Sequence, residues 1–217
     1  MKKRFENLLQ EWPEGFIQDI DLAMILKRTD DARHALVKRA LKSGQLIRLK
    51  RGLYLIKQKV EQALPNEFIF APLIYGPSFV SLESALSYHG WIPEAVYTTT
   101  CATAKRAKQF ETPIGMFSYE RVPSLDFYTG VNRVVENGGV ILIASPWRAL
   151  ADLMYTRRKK WNSLDDVQSD MRIEKETLVE SNKSHLKELV KRYPSSRVRT
   201  ILRKLLKEVK SEKRKKQ

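Results

Sequence analysis

Two groups of cationic residues are spaced to meet the two surfaces that a DNA duplex offers a protein. In the segment TDDARHALVKRALKSG, His34, Lys38 and Lys42 recur every four residues, so a helix would carry them on one face, with Arg33 and Arg39 beside them. Leu36, Val37, Ala40 and Leu41 mark the opposite, apolar face. A helix of this kind fits a major groove about 12 Å wide, where side chains read base edges. Shortly afterwards, LIRLKRGLYLI carries Arg48, Lys50 and Arg51 beside Gly52, the composition of a basic hairpin tip that would lie on phosphates or in the minor groove. Arg33, His34 and Lys38 are the candidates for base edges, and Arg48, Lys50 and Arg51 for the backbone. Lys42 lies on the same charged face, and Arg39 suits either class according to how the helix is rotated.

The elements that must hold these residues follow from local signals. Asp21 is placed to cap a short helix bearing Leu22, Met24, Ile25 and Leu26. Residues 27–30 supply a turn, Thr29 caps the next helix, and Gly44 ends it as a left-handed residue. Ile47, Leu49, Leu53 and Leu55 then turn inward on two short strands. The order is that of a winged helix-turn-helix, expected over residues 1–60. Asp30 and Asp31 sit awkwardly at the start of a helix meant for DNA; they suit the positive end of the helix dipole, or cytosine amino groups. The same architecture also serves as a plain structural or protein-binding module.

Beyond a linker over residues 57–66, the middle of the chain is aromatic and β-branched. FVSLESALSYHG reads as a strand entering a helix closed by Gly90, VYTTT and MFSYERV read as strands, and VVENGGVILIA is a hairpin turning at Asn137-Gly138-Gly139. Pro146 opens a helix through Trp147, Leu150, Ala151 and Met154. Residues 66–160 therefore form an expected α+β domain. Two helices bearing Leu186, Leu189 and Val190, then Val198, Ile201, Leu202, Leu205 and Leu206, are expected to form a helical extension over 161–210, with a disordered basic tail over 211–217. The fold class is α+β.

The formal charge of +15, from 40 Lys and Arg against 25 Asp and Glu, draws such a chain to polyanions, nucleic acid first among them. No apolar run approaches the roughly 18 residues of a spanning helix, so a cytoplasmic protein without a membrane partner is expected. Cys101 is alone, and His34, His89 and His185 are far apart, so neither a disulfide, a metal site nor a cofactor is expected. Asp126, Glu136, Asp152, Asp165 and Asp166 form no recognisable catalytic motif. A Ser84–His89 pairing fails because residues five apart on a helix diverge, so an enzyme is not expected and no catalytic residue is assigned. An RNA-binding protein fits the charge equally well, yet Phe and Tyr sit in apolar periodic contexts that suggest core rather than stacking platforms.

Three segments, GQLIRLKRGLYLI, FVSLESALSYHGWIPEAVYTTT and GVILIASPWRALADLMY, together resemble the AbiE-type antitoxins, the DNA-binding halves of type IV toxin-antitoxin systems of phage abortive infection. The resemblance covers residues 15–160. It implies an N-terminal domain that binds a promoter inverted repeat and represses its own operon, with self-association on that DNA. It also implies a second domain that neutralises a cognate nucleotidyltransferase-like toxin. The family's wing residues fall on Arg48, Lys50, Arg51 and Gly52, and its middle signature on Ser81, Ser84, Ala85, His89 and Gly90. Within that signature the residues themselves suit caps: Ser81 at the helix start, and His89 with Gly90 at its end, the histidine as a C-terminal cation. The sequence departs from the family at Trp147, where an acidic residue is usual. A stand-alone regulator without a toxin is the alternative.

Overall fold

A computed structural model describes residues 2–136 and 139–215 of the chain. Its first helix, α1 (Lys2–Glu11), sends Phe5 and Leu9 into a small core, followed by β1 (Phe16–Gln18), α2 (Asp19–Leu26) and α3 (Asp30–Lys42). The helix expected to be capped by Asp21 begins instead at Asp19, because the Asp21 carboxylate reaches back to accept the Gln18 amide at 2.8 Å from inside the first turn. Thr29 caps α3 as expected, its Oγ1 accepting the Ala32 amide at 3.4 Å, and Gly44, at φ 73°, carries the chain out of the helix.

Next, β2 (Leu46–Lys50) and β3 (Leu53–Ile56) pair antiparallel around Arg51-Gly52, with Gly52 at φ 81°, and β1 completes the sheet on the other side of β3. The pairing slips between Arg48 and Lys50. Such a bulge breaks the two-residue alternation, so Leu46 and Leu49 are both buried while Ile47 is only half-buried. All four β3 residues are buried, and they divide by parity. Tyr54 and Ile56 join Leu22, Leu36, Val37 and Ala40 in the first core, whereas Leu53 and Leu55 join the core of everything that follows. The segment expected to be a linker is half helix, α4 (Lys57–Gln62), because Lys59 reaches back to the Trp12 carbonyl and holds it against the first unit.

After a 3-10 turn (Glu67–Ile69) come α5 (Phe70–Tyr75), β4 (Ser78–Val80), α6 (Leu82–Tyr88), β5 (Thr98–Thr103), β6 (Lys108–Thr112), β7 (Gly115–Arg121), β8 (Val131–Glu136), β9 (Gly139–Ala144) and α7 (Pro146–Thr156). The strands form a mixed sheet in the order β6-β7-β5-β4-β9-β8; β4 lies parallel to β9, and β5 parallel to β7. Strands β4, β5, β7, β8 and β9, the hairpin partnership of β8 and β9, and the helix at Pro146 match the sequence expectation, although β5 begins at Thr98, two residues into VYTTT, and β6 lies outside that expectation. Of its proposed turn, Asn137 and Gly138 lie outside the described residues. The chain is a mixed α+β protein.

Four more helices, α8 (Leu164–Met171), α9 (Lys175–Glu180), α10 (Ser184–Arg192) and α11 (Ser196–Lys215), complete it. They form no separate extension: Leu164, Leu186, Leu189, Leu202 and Leu205 share one buried core with the sheet and α7, since their apolar stripes need a partner surface. Residues 211–215, expected to be disordered, continue α11. Lys, Arg and Glu are good helix formers and extend a helix already nucleated by packing, and Lys215 pairs with Glu212 one turn back at 3.0 Å.

At the centre of the second core lies a polar knot. Asp152 and Arg148 on α7, 0% and 2% exposed, pair at 2.9 Å. Ser81 Oγ donates to Asp152 Oδ2 at 2.8 Å and Tyr193 Oη to Oδ1 at 3.0 Å, while Arg148 Nη1 donates to the carbonyls of Phe127 and Thr129 at 2.9 and 2.6 Å. The Arg148 guanidinium also lies 4.9 Å from the Phe79 ring centre. A buried pair so fully satisfied is tolerable, but removing one partner leaves a naked charge. Asp152→Asn is expected to lower stability by about 3 to 5 kcal/mol, read as a fall in urea midpoint at constant slope; a change below about 1 kcal/mol would show that Arg148 finds another partner.

Candidate nucleic-acid interface

The face of α3 that the sequence marks as charged is open. His34, Lys38, Arg39 and Lys42 are exposed, while Leu36, Val37 and Ala40 turn into the first core at 7%, 3% and 2% exposure. His34, Lys38 and Lys42 form no ion pair with any described residue, and Arg39 bonds through Nε to its own helix, at the Ala35 carbonyl, 3.2 Å away. At the hairpin, Arg48 and Arg51 are exposed, also without an ion pair among the described residues.

Two of the eight candidates are placed otherwise. Arg33 is turned back along α3: its side chain is 11% exposed and pairs with Asp30 at 2.9 Å. The i,i+3 spacing makes that contact geometrically easy, and it withdraws Arg33 from the charged face. The same contact answers the difficulty of an acidic helix start, because the Asp30 carboxylate has its own counter-charge and the positive field is left to the C-terminal half of α3. Lys50 is the second exception. Its Nζ donates to the carbonyls of Leu73 and Ile74 at 3.0 and 2.8 Å, capping the C-terminal end of α5, where a cation meets the negative end of the helix dipole. Burial pushes its ammonium below the ordinary lysine range, and the nearby Lys105 charge adds to this. A lysine so placed joins the hairpin to the second core and is not free for phosphate. Sequence reasoning missed that role because nothing in LIRLKRG signals a partner more than twenty residues on.

The hairpin tip has a further constraint. Gly52 accepts the Asp19 amide through its carbonyl at 3.0 Å, and a Cβ there would lie 3.3 Å from the Asp19 carboxylate. The tip is therefore held against the start of α2, so α2, α3 and the hairpin move as one piece.

No protein-family model and no curated protein matches the chain. Ser81 does not cap α6 with its side chain but points at Asp152, so the Ser of one motif and the Asp of another meet in the buried knot. Ser84 and Thr100 tie α6 to β5: the Ser84 amide donates to Thr100 Oγ1 at 2.9 Å, and the Thr100 amide to Ser84 Oγ at 2.8 Å. Ala85 is fully buried, and Gly90, at φ 68°, leaves α6 by the expected left-handed step. His89, expected as a cation, is half-buried with Nε2 donating to the Ala144 carbonyl at 2.9 Å. Burial holds its imidazole below the ordinary histidine range, and His185 acts in the same direction. Ser81, Ser84, Ala85 and His89 fasten the fold through these contacts, while Gly90 is exposed. Trp147 is buried and donates to Ser181 Oγ at 2.9 Å, linking α7 to the helices after it.

Among the described residues no cluster of His, Cys, Asp or Glu has the makings of a metal site, and no helix is long and apolar enough to cross a membrane.

Because the folded-state value of His89 lies below the unfolded one, the unfolded chain binds the proton first, and stability falls as pH drops from about 7 towards 5. His89→Gln is expected to flatten that fall, seen as a smaller loss of thermal midpoint than in the parent over the same range. An identical loss in both proteins would mean that His89 is protonated while folded.

Proposed function

We propose that the chain is a double-stranded DNA-binding regulator in which α2, α3 and the β2–β3 hairpin act as a winged helix-turn-helix. The observation that carries this reading is the coincidence of an exposed row on α3, His34 with Lys38 and Lys42, and the exposed Arg48 and Arg51 on the hairpin, none of them in an ion pair with a described residue. The apolar side of the same helix is spent on the core, so the charged side is left as a working surface. In this reading α3 enters the major groove, Lys38 and His34 reach base edges, and Arg48 and Arg51 contact flanking phosphates. Arg39 and Lys42 lie where the helix leaves the groove. Arg33 and Lys50 act from behind, one neutralising Asp30 and the other anchoring the wing.

The similarity to AbiE-type antitoxins refines the proposal: an autoregulatory repressor that binds an inverted repeat in its own promoter, with two copies meeting on that DNA, and whose second unit neutralises a nucleotidyltransferase-like toxin in the cytoplasm. The meeting of Ser81 with Asp152 supports it, since residues from two of the resembling segments form one buried unit.

Replacing both Arg48 and Arg51 with Ala is expected to weaken binding to every duplex and flatten the salt dependence by about two units of slope. Lys50→Ala is expected to leave the slope unchanged while lowering the thermal midpoint. If instead Lys50→Ala flattened the slope and the arginine pair did not, the wing would be assigned to the wrong residues. Lys38→Ala is expected to relax discrimination at one base pair by about 1 to 3 kcal/mol; equal losses on operator and random DNA would remove it from the bases. Copurification with a tagged product of the adjacent gene tests the antitoxin reading, which fails if a nucleotidyltransferase-like neighbour is expressed alongside and does not bind.

A further inference from the structure

Two cationic runs outside the first unit, Lys105-Arg106 with Lys108, and residues 157–160, have no part in the interface described above. The second run follows α7 directly, and its members alternate in their commitments. Arg157 pairs with Glu120 at 2.5 Å and Lys159 with Asp170 at 2.7 Å, whereas Arg158 and Lys160 are exposed and pair with no described acid. Both free cations line a cleft of about 680 Å³, together with Arg121 from the end of β7 and Tyr155. Arg121 is likewise exposed and unpaired among the described residues. Arg197 holds the run in place, donating to the carbonyls of Met154 and Lys159 at 2.6 and 3.0 Å. Among the described residues, Glu120 is the one acid on the cleft wall, and it is already bound to Arg157.

The first run joins this cleft to the hairpin. Ala107 lies on the cleft wall, and its neighbours Arg106 and Lys108 are exposed, with Lys108 Nζ 4.9 Å from the centre of the Phe110 ring. On the other side the loop is tied to α5: Tyr75 Oη donates to the Arg106 carbonyl at 3.2 Å, and Lys105 Nζ sits 5.3 Å from the centre of the Tyr75 ring. The same end of α5 receives Lys50 from the hairpin, at the carbonyls of Leu73 and Ile74. One short helix thus carries contacts from both the hairpin and the 105–108 loop, and Lys105, Arg106 and Lys108 on that loop are exposed.

We propose that a duplex held by α3 and the wing runs on over the 105–108 loop into this cleft, where Arg121, Arg158 and Lys160 hold its phosphates. The proposal rests on the DNA-binding reading and adds to it a second, sequence-independent footprint on the larger unit. A duplex is favoured over a small anion because the cations form a track rather than a closed pocket, and a track matches the regular phosphate spacing of a double strand.

The test compares the full chain with an Arg158→Asn, Lys160→Gln double variant. Asn is used at residue 158 because that backbone is left-handed, at φ 53°, a conformation Asn tolerates. Salt-dependent affinity is measured on random duplexes of about one helical turn (about 10 base pairs) and about three turns. The expected result is a steeper slope for the parent on the longer duplex, a loss of about two units there in the variant, and an unchanged slope on the shorter one. An unchanged slope on the longer duplex overturns the second footprint while leaving the first intact. Failure of the parent to bind either length overturns both. A thermal shift with inorganic pyrophosphate, present in the parent and absent in the variant while the long-duplex slope stays the same, would make the cleft a small-anion site and also overturn the proposal.

Discussion

The structure depends on one strand being buried on both faces. Four consecutive residues of β3, Leu53 to Ile56, are each 4% exposed or less, and alternate residues belong to different cores. In most antiparallel sheets one face packs and the other meets water; here the second face is covered by the larger unit. At about 25 cal/mol per Å² of apolar surface, hiding two leucines from water is enough to discourage the two units from separating. The edge-to-face contact of Phe16 with Phe70, at 5.2 Å between ring centres, and the Lys50 cap on α5 reinforce the same seam. The charged surface is in consequence presented by one body rather than by a module on a tether. A duplex spanning the wing and the cleft would therefore meet pre-positioned cations and lose little entropy in aligning them.

The second constraint is the knot around Asp152. A carboxylate at 0% exposure is costly unless every lone pair is used, and Ser81, Arg148 and Tyr193 use them, each from a different part of the chain. Those contacts join β4, α7 and the last helices at one point, which is why residues 161–215 pack as part of the sheet's core. Arg148 carries the charge balance further, into the carbonyls that end the loop before β8. Apolar replacement of the whole group would serve stability equally well in principle, whereas loss of a single member leaves the others unsatisfied.

Charge is sorted by whether each cation has work to do inside. With 40 Lys and Arg against 25 acids, the molecule has more cations than it can pair. Arg33, Lys50, Arg148, Lys159 and Arg197 are consumed by structure. Lys38, Lys42, Arg48, Arg51, Arg121, Arg158 and Lys160 pair with no acid among the described residues. Surface pairs are worth little to stability, so leaving these unpaired costs the fold almost nothing, and their field is available to a polyanion.

The sequence by itself determined what depends on neighbours along the chain: the helix with its Thr29 cap and Gly44 exit, the hairpin around Gly52, the strands of VYTTT and MFSYERV, the helix opened at Pro146, and the cationic row of α3. Each of these is set by spacings of a few residues, which periodicity reports directly. Tertiary structure decided the rest. Lys50 and Arg51 are adjacent and chemically alike, yet one caps a helix and the other faces solvent, because a bulge at Leu49 and the position of α5 aim them apart. The fate of Arg33 is by contrast a local one, since Asp30 stands one turn before it at i,i+3 spacing and no acid stands so before Lys38. Asp152 belongs to no catalytic motif in the sequence, and its burial depends on Ser81, 71 residues away, and on Tyr193. Local propensity fixes where elements begin and end, whereas which side chains remain free is a matter of contacts between residues far apart in the chain, and those exist only once the chain has folded.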